Sequence, residues 1–121
     1  MSQPESRLSR AIKAAIRAGG GYCVKIHGGS TMEAGTPDIL ACIRVQLPDE
    51  YGERHEHCPI VGRFVGIETK MPDGGDPTPI QQHRHGQIKS AYGVVVVPRS
   101  VQDAVYALEA IVASVTTTDP S

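Results

Sequence analysis

The spacing of hydrophobic residues along the chain divides it into seven predicted elements. In residues 6–18 apolar side chains recur every three or four positions, which predicts an amphipathic helix. Three glycines at positions 19–21 end this helix, because glycine readily adopts the left-handed conformation of a helix C-cap. The opposite side of the helix carries a stripe of basic residues: Arg7, Arg10, Lys13 and Arg17.

Three segments in the first two thirds of the chain have the pattern of strands. Residues 22–27 alternate between apolar and polar, and residues 37–45 are apolar enough for a buried central strand. Residues 61–69 form the third strand, separated from the second by a polar excursion at 46–59 that contains proline and glycine. The simplest topology pairs the second and third strands as a hairpin.

The rest of the chain predicts a helix, a strand and a final helix. Thr78 and Pro79 suit a helix start, and the helix runs to about residue 92, weakened by Gly86 and ended by Gly93. Four valines at 94–97 predict a short strand buried on both faces. Ser100, with Asp103 three residues later, caps the last helix, whose apolar positions are Val101, Ala104, Val105, Leu108, Ile111 and Val112.

The order α-β-β-β-α-β-α predicts an α/β domain with a mixed sheet covered by helices. A chain of 121 residues suffices for one domain, which we expect to span residues 1–115 and to end in a tail at 116–121. The net charge of −1 means that any binding to nucleic acid must come from a local patch. No apolar run approaches the ~20 residues needed to cross a membrane. The three cysteines lack CxxC spacing, which fits a reducing cytoplasm.

One set of polar residues stands at the ends of the two central strands. Asp38 begins one strand, and Glu68 and Lys70 end the next. Side chains two apart on a strand share a face, so Glu68 and Lys70 should be neighbours, while Thr69 should point away from both. If the strands pair, Asp38 lies beside Glu68. Two carboxylates in contact repel unless a cation lies between them, and a hard divalent ion prefers oxygen ligands. With the ammonium of Lys70, this set offers the parts that phosphoryl chemistry needs.

These residues resemble the PD-(D/E)xK nuclease superfamily, whose motif appears as Pro37-Asp38 followed by Glu68-Thr69-Lys70. The short motif alone occurs by chance, but its surroundings are similar to the virus-type replication-repair (VRR-NUC) branch from Glu5 to about Leu108. The features that carry this likeness are an N-terminal helix with Glu5, the glycine turn, Gly35-Thr36-Pro37-Asp38, Thr78-Pro79-Ile80-Gln81 opening a helix, a valine-rich strand, and Arg99-Ser100-Val101.

The resemblance implies a restriction-endonuclease-like αβββαβ core that binds Mg²⁺ or Mn²⁺. It makes Asp38, Glu68 and the backbone carbonyl of Thr69 the metal ligands, and gives Lys70 the role of orienting water and steadying charge. Gln81 would support the site; Gln82 is a rival, and we prefer Gln81 because it holds the third helical position after Thr78.

Glu5 has two interpretations that the sequence leaves open. By resemblance it adds a carboxylate to the metal shell. Alternatively, it forms a helix capping box with Ser2, three residues earlier.

The predicted function is therefore a metal-dependent DNA nuclease, structure-specific for branched DNA and acting as a homodimer, as the resemblance implies. Lys25, Arg84 and Lys89, or the basic stripe of the first helix, are candidates for phosphate contacts. His83 and His85 lie near the site in sequence. Contact with phosphate or the leaving group is one interpretation, and we prefer the other, in which both face solvent.

Two alternatives use other features of the sequence. One is a binding module that holds DNA or a protein without cutting. The other is a structural zinc protein using His55, His57 and Cys58, although structural zinc sites need four ligands.

Overall fold

The computed structural model describes residues 4–27 and 33–113, with the side chains of 4–6 excepted. Its elements follow the predicted order. They are α1 (Pro4–Ala18), β1 (Tyr22–Lys25), β2 (Ile39–Gln46), β3 (Ile60–Ile67), α2 (Pro79–Ser90), β4 (Val94–Val96) and α3 (Val101–Val112). Ser2 and the predicted domain end at residue 115 lie outside the described residues.

The four strands form one mixed sheet in the order β1-β2-β3-β4. β1 with β2 and β2 with β3 are antiparallel, whereas β3 and β4 are parallel. The predicted hairpin of β2 and β3 is confirmed, with partners running from Ile39↔Ile67 to Gln46↔Ile60. This register brings the residue before β2 opposite the residue after β3.

The core lies between one face of the sheet and the two helices α1 and α3. β2 alternates between buried and more exposed positions, so every second side chain points into the core. The core is entirely aliphatic apart from Cys23, and all five aromatic residues of the chain are exposed. Its main buried members are Leu8, Ile12, Ile16, Ile39, Ala41, Ile43, Val45, Val65, Ile67, Ala104 and Ile111.

The second half of the chain differs from expectation in three details. β4 is half-buried rather than buried on both faces, because it pairs with β3 on one side only. α2 runs unbroken through Gly86, and the left-handed residue after it is Tyr92 (φ +67°) rather than Gly93. Gly93 is needed for packing, since a Cβ there would lie 2.7 Å from Ile88 Cγ2. In α3, Val101 and two other predicted core valines are exposed.

The excursion between β2 and β3 is held together by its own hydrogen bonds. Asp49 Oδ1 accepts from the backbone N–H groups of Tyr51 and Glu53, and the Gln46 amide donates to the carbonyls of His55 and Cys58. Within residues 4–27 and 33–113, no group of three or more His, Cys, Asp or Glu side chains is placed to hold a metal ion. The zinc alternative therefore has no support. In the same ranges no helix is long and apolar enough to cross a membrane.

Candidate active site

Asp38 and Glu68 flank the central hairpin at one end of the sheet. Asp38 immediately precedes β2 and Glu68 immediately follows β3, so the register of the two strands sets them side by side. Both backbones are fixed at the outer strands. Asp38 O accepts from Ile26 N, the residue after β1, at 2.7 Å, and Glu68 N donates to Val96 O, the last residue of β4, at 3.0 Å. The two acidic residues thus stand on a four-stranded framework.

Thr69 holds the Asp38 carboxylate. Its backbone N–H and its hydroxyl both donate to Asp38 Oδ2, at 2.9 and 2.8 Å. The expectation that the Thr69 side chain points away from the face of Glu68 and Lys70, and so from the carboxyl pair, is therefore wrong. It relied on the alternation of a strand, and β3 ends at Ile67.

Glu68 is a buried acid whose ionisation is opposed by its surroundings. Only 2% of the residue is exposed. Burial raises the pKa of Glu68 from 4.5 to about 8, aided by repulsion from Asp38 and a hydrogen bond with it; Lys70 and Lys25 act in the opposite direction. The two carboxyl groups are close enough to share a proton. A divalent cation bound between them would take the place of that proton.

Lys70 is oriented by the cap of α2. Lys70 Nζ donates to Gln81 Oε1 at 3.1 Å, and the same oxygen accepts from Thr78 N at 2.9 Å. Thr78 in turn accepts from Gln81 N, so the two residues form a capping box. The Gln82 side chain donates instead to Pro77 O. Of the two glutamines, Gln81 is therefore the one that contacts Lys70.

His85 lies at the candidate site, and the expectation that it faces solvent is wrong. It is 6% exposed rather than solvent-facing, and its Nε2 lies 3.4 Å from Glu68 Oε1. Burial lowers the pKa of His85, and the charges of Lys89 and Lys70 lower it further, so the ring is neutral at neutral pH. The missed signal was helical spacing: His85 lies four residues after Gln81 and shares its side of α2.

Of the three residues predicted to contact phosphate, two lie near the candidate site and the third is bonded to another part of the chain. Lys25 and Lys89 lie near the candidate site. The charge of Lys25 lowers the pKa of Glu68, and the charge of Lys89 lowers the pKa of His85. Arg84 is engaged elsewhere, because it donates to Ala34 O at 3.0 Å and to Gln87 Oε1 at 2.9 Å and pairs with Glu33 at 3.4 Å. It fastens the segment before Asp38, which argues against its predicted phosphate contact.

Arg99, part of the predicted Arg-Ser-Val segment, fastens the loop between Lys70 and α2. Its guanidinium donates to the carbonyls of Met71, Gly74 and Gly75 at 3.1, 2.8 and 3.2 Å. The backbone N–H of Lys70 donates to Pro98 O at 3.2 Å. Lys70 and the loop that follows it are therefore tied to the segment after β4.

The donor set fits a hard divalent cation better than a transition-metal cage. Mg²⁺ usually keeps several waters and binds proteins through one or two carboxylates plus substrate phosphates. Asp38 and Glu68 supply such a pair, and neutralisation by a cation would relieve the repulsion between them. The side chain of Glu5 lies outside the described part of the structure, so its role as ligand or cap stays a prediction, as does that of the Thr69 carbonyl.

A solved structure described as a VRR_NUC domain is similar to this chain. It matches with a TM-score of 0.64 over 89% of this chain and 97% of its own, at 22% sequence identity. No protein-family model and no curated protein matches. The chain therefore has the restriction-endonuclease-like fold of a VRR-NUC domain, as the order of its motifs predicted.

Proposed function

We propose that the protein is a nuclease that hydrolyses phosphodiester bonds of DNA with the aid of Mg²⁺ or Mn²⁺. The observation that supports this best is the buried carboxyl pair Asp38–Glu68 beside Lys70, whose ammonium is held at 3.1 Å by Gln81. Two ionised carboxylates held together in a buried place destabilise a protein, and a bound cation relieves this cost. The similarity to a VRR_NUC domain structure supports the proposal as well. The order of motifs along the chain leads to the same expectation of a nuclease.

Each residue has a distinct role in this proposal. Asp38 and Glu68, with the Thr69 carbonyl, would hold the cation, which when bound supplies charge neutralisation on the phosphate and acidifies water. Lys70 donates a hydrogen bond to the attacking water or to a phosphate oxygen and steadies the charge that develops there. Gln81 orients Lys70. His85 contacts no reacting atom and positions Glu68.

We extend the proposal to branched DNA and to a homodimer. Symmetrical cutting of the two strands of a junction needs two centres, and a two-fold dimer supplies them. Sedimentation at micromolar concentration, with and without a four-way junction, is the measurement. A monomer under both conditions contradicts the dimer and leaves cleavage itself unaffected.

The nuclease proposal is tested by incubating labelled junction, flap, nicked and single-stranded DNA with Mg²⁺, Mn²⁺ or EDTA. We expect cleavage with either ion, leaving 5′-phosphate ends, and none with EDTA. Asp38→Asn is the matched control, because its amide oxygen can still accept from Thr69 N–H and O–H while the charge is lost. Binding of DNA without cleavage by the unchanged protein would instead indicate a non-catalytic module.

His85 is expected to set the affinity for the cation through Glu68. In His85→Gln the side-chain amide nitrogen can replace Nε2 opposite Glu68 Oε1, whereas in His85→Asn it stops short. Loss of an outer-shell contact of this kind weakens metal binding by about tenfold or more. We therefore expect His85→Asn to bind Mn²⁺ about tenfold more weakly and His85→Gln to recover most of the affinity.

Titration of Mn²⁺ followed by electron paramagnetic resonance, without DNA, measures this directly. Melting temperatures of both variants show whether folding is retained. Equal Mn²⁺ affinities for the two variants and the unchanged protein would mean that His85 only fills space.

A further inference from the structure

Gly86 occupies a position in the middle of α2 where the fold does not require glycine. It is exposed, its φ is not positive, and a Cβ built there would meet nothing within 4 Å outside its own helix. Among residues 4–27 and 33–113 it is the only glycine inside a helix. Since glycine in a helix interior is less stable than alanine, neither packing nor backbone conformation explains this residue.

The surface around Gly86 has the chemistry of a phosphate contact. Helical spacing makes His83, Lys89 and Ser90 its neighbours at i−3, i+3 and i+4, and all three are exposed. α2 contains no Asp or Glu. We call His83, Gly86, Lys89 and Ser90 the outer patch of α2. Hydroxyl, imidazole and ammonium groups are all donors to phosphate oxygens.

The outer patch lies beside the candidate active site. The inner side of the same helix carries Gln81, which contacts Lys70, and His85, which contacts Glu68. Gly86 is one residue, or about 100° of helix rotation, from His85. A DNA strand with one phosphate at Asp38 and Glu68 must continue over a neighbouring surface, and the acid-free outer patch complements its charge. The charges of Lys70 and Lys25 lower the pKa of Glu68, and those of Lys89 and Lys70 lower the pKa of His85, so all three lysines lie near the candidate site.

We propose that the outer patch of α2 is a docking surface for the phosphate backbone of DNA, and that Gly86 allows the strand to approach the helix closely. A side chain at position 86 would hold the strand away from the donors of His83, Lys89 and Ser90. This proposal rests on the nuclease function and adds the surface by which the substrate is held.

The test separates stability from DNA binding at one residue. Gly86→Ala is expected to raise the melting temperature by about 4 °C, because alanine favours the helix, and yet to weaken DNA binding by about threefold, the effect of weakening one hydrogen bond. Gly86→Leu, which is bulkier and has no donor for phosphate, should weaken it by about tenfold. Lys89→Ala should reduce the salt dependence of binding by about one released counterion.

Binding is measured by fluorescence anisotropy with a labelled four-way junction in EDTA, where the DNA is not cut. Ala110→Leu, on the exposed side of α3, is the control for added bulk and should leave the affinity unchanged. A fall in melting temperature for Gly86→Ala would overturn the premise that the fold does not need this glycine.

The outcome for Gly86→Leu decides the docking proposal. If this variant binds the junction as tightly as the unchanged protein, the outer patch does not contact DNA, even if cleavage is observed. If the unchanged protein neither binds nor cuts any DNA in the panel, the nuclease proposal itself fails. The two failures are therefore distinguishable.

Discussion

Replacing Lys70 with alanine is expected to lower the rate of DNA cleavage by about 10²–10³-fold, the usual effect of removing one donor that stabilises the transition state. The ammonium of Lys70 is the cation that Gln81 orients beside the carboxyl pair. Its hydrogen bond to the developing charge forms in the transition state, so kcat should fall while KM changes little. Single-turnover cleavage of a labelled junction with Mn²⁺ measures the effect.

Two further variants distinguish charge from alignment at this position. Lys70→Arg keeps the charge but alters the geometry toward Gln81, and should retain part of the activity. Gln81→Ala keeps the ammonium but removes its acceptor, and should lose less than Lys70→Ala. Full cleavage by Lys70→Ala, with unchanged melting temperature and Mn²⁺ affinity, would remove Lys70 from the mechanism.

The metal-free protein is expected to lose stability as the pH rises from about 6.5 to about 8, because of Glu68. The pKa of Glu68 is raised by burial and by Asp38 from 4.5 to about 8, so in this interval the folded protein holds a proton that the unfolded chain has lost. Each pH unit then removes up to about 1.4 kcal/mol of the free energy of unfolding. Below pH 6.5 His85, whose pKa is lowered, acts in the opposite direction and masks part of the effect.

Glu68→Gln isolates this contribution, since its side chain is neutral at every pH. In EDTA the variant should melt at a nearly constant temperature between pH 6.5 and 8 and, at pH 8, above the unchanged protein. Mg²⁺ should stabilise the unchanged protein at pH 8 and release a proton below it, while Glu68→Gln should respond weakly. Parallel melting curves for both proteins across this range would contradict a raised pKa at Glu68.

The position of the carboxyl pair was predictable because it depends only on local rules. Two apolar strands joined by a polar excursion favour a hairpin, and that pairing sets Asp38 beside Glu68. The capping function of Thr78 with Gln81 was equally accessible, since it depends on residues three apart. The catalytic and metal-binding roles of these residues stay predictions.

Contacts that depend on tertiary packing were not predictable in the same way. Arg84 reaches Ala34, 50 residues earlier in the chain, and no pattern along α2 indicates that partner. Thr69 turns toward Asp38 because β3 stops two residues before it, and strand ends are the least predictable part of an element. His85 was accessible from its spacing to Gln81, but its burial depends on the depth at which α2 packs.

The oxygen that Gln81 shares between Thr78 N and Lys70 Nζ ties the orientation of the Lys70 ammonium to the N-terminal cap of α2. Helix ends are the places where a folded chain opens at the lowest free-energy cost. When the first turn of α2 frays, the ammonium loses its acceptor at the same moment, while the sheet that carries both acids stays intact. In the proposed mechanism, opening of this one turn would remove the orientation of Lys70 and leave Asp38 and Glu68 in place.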